Sequence, residues 1–241
     1  MSGHSKWNNI KNRKGKADAV RGKIFTKLGR EILMAVKSGG PDINANSKLK
    51  EVVAKAKANN MPNDTIDKAI KKAAGADNNE SYEEIVYEGY GPNGVAIIVN
   101  ASTDNKNRTA AEVRHIFDKF GGNLGTTGCV SYMFDKKGVI ILDKEEVSAQ
   151  EDDLMLIAIE AGAENFETGD GYYEITTNPE DFAVVREKLE ENNLVFAEAE
   201  IQMVPSIYAT LDEESSRKMG LILENLEDLD DVIEVYHNWE E

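Results

Sequence analysis

Between Gly3 and Lys16 the chain carries five cations, three asparagines, one tryptophan and no acid. Lys6, Lys11, Arg13, Lys14 and Lys16 suit phosphate neutralisation, and the counterions they release make such binding weaken steeply with salt. Trp7 offers a face for a nucleic-acid base, while serine and asparagine side chains donate to phosphate or sugar. The competing reading of this stretch is a solvated arm with Trp7 tucked into a helical core. A second cationic set, Lys23, Lys27 and Arg30, recurs at helical spacing just downstream. A third, Lys106 and Arg108, opens an expected helix from about 105 to 120, where free backbone N–H groups also favour anions. There the competing reading is a capping box built from Thr109 and Glu112.

The charge of the whole chain hides these sets. Its 241 residues hold 28 Lys+Arg and 44 Asp+Glu, a net charge of −16. Residues 1–75, however, hold 17 cations and 6 acids, whereas residues 76–241 hold 11 and 38. A head of +11 thus precedes a body of −27, and asymmetry of this kind points to a charged interaction surface. Nucleic acid is the expected partner of the head.

Other classes of chemistry find little support. His4, His115 and His237 have no metal-ligand spacing, and the lone Cys129 can form neither an internal disulfide nor a cysteine-rich zinc module. Gly89-Tyr90-Gly91-Pro92-Asn93-Gly94 matches G-x-G-x-x-G in letters. The phosphate-binding version needs a helix after the glycines, and here an apolar strand follows turn residues, so the segment reads as a hairpin connection. No P-loop, nucleophile elbow or paired catalytic carboxylates stand out. An enzyme is not expected, nor is any cofactor or metal. No apolar run reaches the roughly 20 residues of a membrane span, and the N-terminus lacks a secretory pattern, so no membrane partner is expected either.

The elements that must position these residues follow from periodicity. Val20, Ile24, Leu28, Ile32 and Val36, with Phe25, fall within an arc of roughly 160° on a helical wheel, and Lys16, Lys23, Lys27, Arg30 and Lys37 lie on the other side. Ser38-Gly39-Gly40-Pro41 ends this helix. A second helix is expected over 47–59 and a third up to Gly75, capped by Asn63 or Asp64. Lysines at 48, 50, 55, 57, 68, 71 and 72 extend the positive surface. Beyond a polar linker come strands at 82–90, 95–99 and 129–134, with the 105–120 helix between the last two. Residues 139–204 read as a βαββαβ unit, the split-βαβ or ferredoxin-like topology. The tail resumes with a strand at 207–211, a helix at 212–226 and a strand at 232–237. The expected fold is therefore α+β and multi-domain: an N-terminal three-helix domain and two ferredoxin-like α/β domains, one inserted in the other. The expected boundaries are 1–78, then 79–136 with 205–241, interrupted by 137–204.

Several motifs carry a family resemblance. Met1-Ser2-Gly3-His4-Ser5-Lys6-Trp7, Asn60-Met61-Pro62, Tyr87-Glu88-Gly89-Tyr90-Gly91-Pro92, Thr103-Asp104-Asn105 with Asn107-Arg108-Thr109, and Val130-Ser131-Tyr132-Met133-Phe134 resemble the YebC/PmpR family from the first residue to the last strand. The resemblance implies a helical head with two α/β domains, a cytoplasmic location and a non-enzymatic role as a transcriptional regulator that binds DNA. It also implies an alternative, a ribosome-associated factor that contacts rRNA and helps translation through difficult stretches such as consecutive prolines. Mitochondrial relatives begin with a transit peptide; this chain opens directly on the motif, so a bacterial cytosol is expected. No helix has an evident base-reading composition, which leaves DNA and rRNA both open and sets no oligomeric state.

Overall fold

The computed structural model describes Trp7 and residues 18–75 and 82–240. Among them are seven α-helices and two four-stranded antiparallel sheets. The fold is α+β, with a helical N-terminal region followed by two α/β parts, the second interrupting the first. The chain divides into two compact units, residues 17–133 with 207–239, and residues 134–206 with Trp7.

In the first unit, α1 (Asp18–Gly39), α2 (Ser47–Ala58) and α3 (Asn63–Ala74) close around Leu28, Ile32, Leu49, Val53, Ile66 and Ile70. Asn46 caps α2 by accepting from the Leu49 N–H. Neither Asn63 nor Asp64 caps α3; Pro62 occupies that position without a side-chain bond, its fixed φ suiting entry into a helix. Strands β1 (Glu83–Tyr90) and β2 (Ala96–Thr103) form a hairpin around a 3-10 turn at Pro92–Gly94. Asn93 and Gly94 take positive φ there, so the glycine-rich run is turn chemistry. Gly89 has a separate reason: a Cβ would lie 2.8 Å from the Phe117 ring and 2.6 Å from the Asn123 carbonyl. Helix α4 (Lys106–Lys119), the short β3 (Asn123–Leu124), and further along the chain α7 (Glu213–Asp228) and β8 (Val232–His237) complete the unit, with strand order β3-β1-β2-β8. Val95, Ile97 and Val99 pack with Val113, Phe117, Met219, Ile222 and Leu226.

Two expected strands are absent. Residues 129–133 instead run through a bend and a 3-10 segment, Ser131–Met133, and strand begins only at Phe134. The cause is Glu88, whose buried carboxylate accepts the backbone N–H groups of Gly128, Val130 and Ser131 and bends the chain around itself. Residues 207–211 contribute only the bridge from Ala209 to Trp239.

The second unit is β4 (Phe134–Asp143), α5 (Glu151–Ala161), β5 (Asn165–Thr168), β6 (Tyr172–Thr177), α6 (Phe182–Glu191) and β7 (Glu198–Pro205). Its strand order β5-β6-β4-β7 is the expected split βαββαβ arrangement. Helix α6 begins at Phe182, with Asp181 at its N-cap position and no side-chain cap bond. The continuous apolar run of β4 has a physical reason, because both faces of the strand are covered. Ile140 and Leu142 meet the helices, while Val139 and Ile141 meet Tyr172 and Trp7.

Candidate nucleic-acid interface

The cationic stripe of α1 is held inside its own unit. Lys23, Lys27 and Arg30, at i, i+4 and i+7, face the C-terminal end of α7 and the turn that follows it. Lys23 Nζ lies 2.5 Å from Asp228 Oδ1, and Lys27 Nζ donates to the Glu227 carbonyl at 2.6 Å. Arg30 donates to the Asp230 carbonyl and to Asp231 Oδ1, both at 2.8 Å. A helix C-terminus exposes carbonyls without intrahelical partners and a partial negative charge, and cations satisfy both. Burial pushes the Lys27 ammonium below its usual 10.5, only partly offset by Glu227 and Asp230.

Asp231 is the centre of this arrangement. The residue is 4% exposed, and its carboxylate takes Arg30 on one oxygen, and Arg108 (2.6 Å), Thr109 (2.7 Å) and Thr103 (3.0 Å) on the other. Burial alone would raise its pKa. Hydrogen bonds from Arg108, Thr109, Thr103 and Arg30 more than offset that and lower it from 3.8 to about 2. Arg108 also pairs with Asp104, and its own pKa is raised, first by Asp231 and then by Asp104. Thr109 thus serves Asp231 inside the helix, and the cap of α4 is Asn105, which accepts from the Arg108 N–H. Lys106 pairs with Glu83 across to β1.

Trp7 is 3% exposed and seated on Val139, Ile141 and Tyr172, its ring centroid 5.7 Å from that of Tyr172. It is neither exposed nor in the helical core, because the outer face of the second sheet offers it an apolar floor. Lys6, Lys11, Arg13, Lys14 and Lys16 lie outside the described residues. Of the eleven expected contact residues, the structure therefore brings Arg30 and Arg108 together on Asp231, sets Lys23 and Lys27 beside them, pairs Lys106 with Glu83, and assigns Trp7 to the other unit.

Open positive charge in the head lies elsewhere, on α2 and α3. Lys50 and Lys57, seven residues apart, flank the buried side of α2 formed by Leu49, Val52, Val53 and Ala56. Lys68 and Lys71 lie opposite Ile66, Ile70 and Ala73 on α3. All four are exposed, and among the described residues none has an ion partner. These lysines belong to the positive surface expected of the helical head, and none of them is among the eleven expected contacts. The signal was the apolar periodicity of α2 and α3, which turns them outward.

The fold thus joins a basic helical head to two α/β parts, and among the described residues no cluster of His, Cys, Asp or Glu could hold a metal ion. The chain belongs to the TACO1/YebC family. Residues 5–76 match the TACO1/YebC protein N-terminal domain, and residues 82–239 match the TACO1/YebC second and third domain. A probable transcriptional regulatory protein of Acetivibrio thermocellus is 62% identical over 240 residues, 99% of each chain. One from Agathobacter rectalis is 61% identical over the full length of both. The crystal structure of a conserved hypothetical protein from Aquifex aeolicus superposes with a TM-score of 0.84 at 46% identity, covering 93% of this chain and 92% of that one. No helix among the described residues is long and apolar enough to cross a membrane.

Proposed function

We propose that the protein is a non-enzymatic, nucleic-acid-binding regulator of gene expression, a transcriptional regulator that contacts DNA through its basic N-terminal domain, residues 1–78. The observation that carries this reading is the set of lysines the fold leaves open, Lys50, Lys57, Lys68 and Lys71, in a region of net charge +11. The first 16 residues bring five further cations to the same domain's charge. The printed names of the relatives, probable transcriptional regulatory proteins, agree with it. Lysine neutralises phosphate as a point charge, so binding is expected to be salt-sensitive and weakly sequence-selective. Titrating the full chain with duplex DNA at several salt concentrations tests this. Absence of a negative slope of log affinity against log salt, or binding unchanged when the four lysines become glutamine, would overturn it.

The same observation favours a second reading, a ribosome-associated factor contacting rRNA. All four open cations are lysines, with no arginine, asparagine or glutamine poised at base edges among them, and a shape-and-charge surface suits folded RNA as well as duplex DNA. Crosslinking in cells and sequencing the bound nucleic acid separates the two, through promoter DNA in one case and rRNA in the other.

A further inference from the structure

Helix α5 of the second unit has two apolar sides. Leu154, Ala158 and Ala161 point into the core. Met155, Leu156 and Ile159 point outward and are 38%, 56% and 58% exposed. At 100° per residue these three occupy adjoining positions on the helix surface, within roughly 100° of arc. Single exposed apolar residues are ordinary, whereas an adjoining set on a regular helix marks a contact surface. The set is ringed by acid. Asp152 and Asp153 lie in the first turn and Glu160 in the last, all exposed and without an ion partner among the described residues. Residues 134–206 as a whole carry 5 cations against 19 acids, a net charge of −14.

That charge decides what can cover the surface. A second copy of this unit would bring a second net −14 against the first, an anionic lipid surface would be repelled, and nucleic acid would be repelled as strongly. A helix with an apolar stripe between lysines or arginines matches both the apolar centre and the acidic rim. We propose that the outward face of α5, formed by Met155, Leu156 and Ile159 and rimmed by Asp152, Asp153 and Glu160, docks a cationic amphipathic helix of a partner protein. The acidic unit would then recruit protein, independently of what the basic head binds.

The test uses the full chain and a labelled peptide of about 18 residues in which leucines repeat at i, i+3, i+4 and i+7 between lysines, against a scrambled peptide of the same composition. The wild-type protein is expected to bind the patterned peptide about tenfold more tightly than the scrambled one. Leu156→Asn with Ile159→Asn, both exposed and outside the core, should erase that preference while leaving the helical circular dichroism unchanged. Asp152→Asn with Asp153→Asn and Glu160→Gln should weaken both peptides and reduce the salt dependence. Equal binding of the two peptides, or a preference that survives L156N/I159N, would overturn the proposal. So would sedimentation showing a dimer that L156N/I159N dissociates, which would make a second copy the occupant. Vesicles of phosphatidylglycerol that bind wild type and not L156N/I159N would assign the face to a membrane and overturn it equally.

Discussion

The head presents two cationic faces that look alike in sequence and differ in the folded chain. On α1, Lys23, Lys27 and Arg30 are committed to Glu227, Asp228, Asp230 and Asp231. On α2 and α3, Lys50, Lys57, Lys68 and Lys71 face solvent. Helical spacing alone ranks the α1 stripe higher, since its cations line up opposite a continuous apolar row. What separates the faces is the polypeptide 200 or more positions away in sequence, at the end of α7. Charge written in a sequence is therefore an upper bound on charge available to a partner, and the protein spends part of it on tying its head to the sheet behind.

The sharpest way to break this contrast is to empty the open face. Lys50→Gln, Lys57→Gln, Lys68→Gln and Lys71→Gln together should lower affinity for duplex DNA by about 100-fold or more at low salt, and reduce the magnitude of the log–log salt slope by roughly 3–4. Fluorescence anisotropy across a salt series measures both. A variant that retained the wild-type slope would show that the exposed lysines are merely solvated.

Next in size is the clamp that closes the other face. Asp231→Ala leaves Arg30 and Arg108 without their shared acceptor and should cost on the order of 2–3 kcal/mol in urea unfolding. That is below the loss for a wholly buried pair, because Arg108 stays partly solvated. Asp231→Asn should behave similarly, since the amide keeps the shape but not the charge. An unchanged urea midpoint would mean that solvent already satisfies both guanidinium groups.

The clamp also has a pH signature. The Asp231 pKa falls from 3.8 to about 2 on folding, so its contribution is complete above about pH 4 and is lost as the pH drops toward 2. His237 on β8 acts in a higher window. Burial lowers its pKa from 6.5 to about 4, a backbone bond to Trp239 opposing only in part. The unfolded chain therefore binds a proton first, and stability is lost as the pH falls from about 6.5 through 4. Urea midpoints measured from pH 8 to 2 should show the upper step vanish in His237→Phe and the lower step shrink in Asp231→Asn.

How much of this was legible depends on how local each cause is. The βαββαβ unit could be read because its signals sit within a few residues: the alternation in 172–177, the Gly169-Asp170-Gly171 turn, and the apolar run of β4. The strand expected at 129–134 failed because its conformation is set by Glu88, some forty residues upstream, whose acid side chain looks ordinary in an acidic chain. Trp7 has neither of its expected surroundings, an open base-stacking face or the helical core, for the same reason, since the apolar floor it covers is built from Val139, Ile141 and Tyr172. The candidate contacts suffered most. Periodicity gives the direction a side chain leaves its helix, and a phosphate and a distant carboxylate are the same to it.

The smallest expected effect is the most discriminating. Lys23→Gln with Lys27→Gln removes two cations from the stripe that a helical wheel singles out, yet should change DNA affinity by less than about twofold and leave the salt slope unaltered. Both ammonium groups already have acceptors, the Asp228 carboxylate for Lys23 and the Glu227 carbonyl at the end of α7 for Lys27, so little counterion is released from them on binding. The variant should instead loosen the end of α7, seen as faster amide exchange over residues 226–229. A loss of affinity matching that of the open-face variant would mean that α1 leaves α7 when nucleic acid arrives. In that case the acidic turn at 228–231 competes with phosphate for the same cations, and the two faces differ only in what occupies them first.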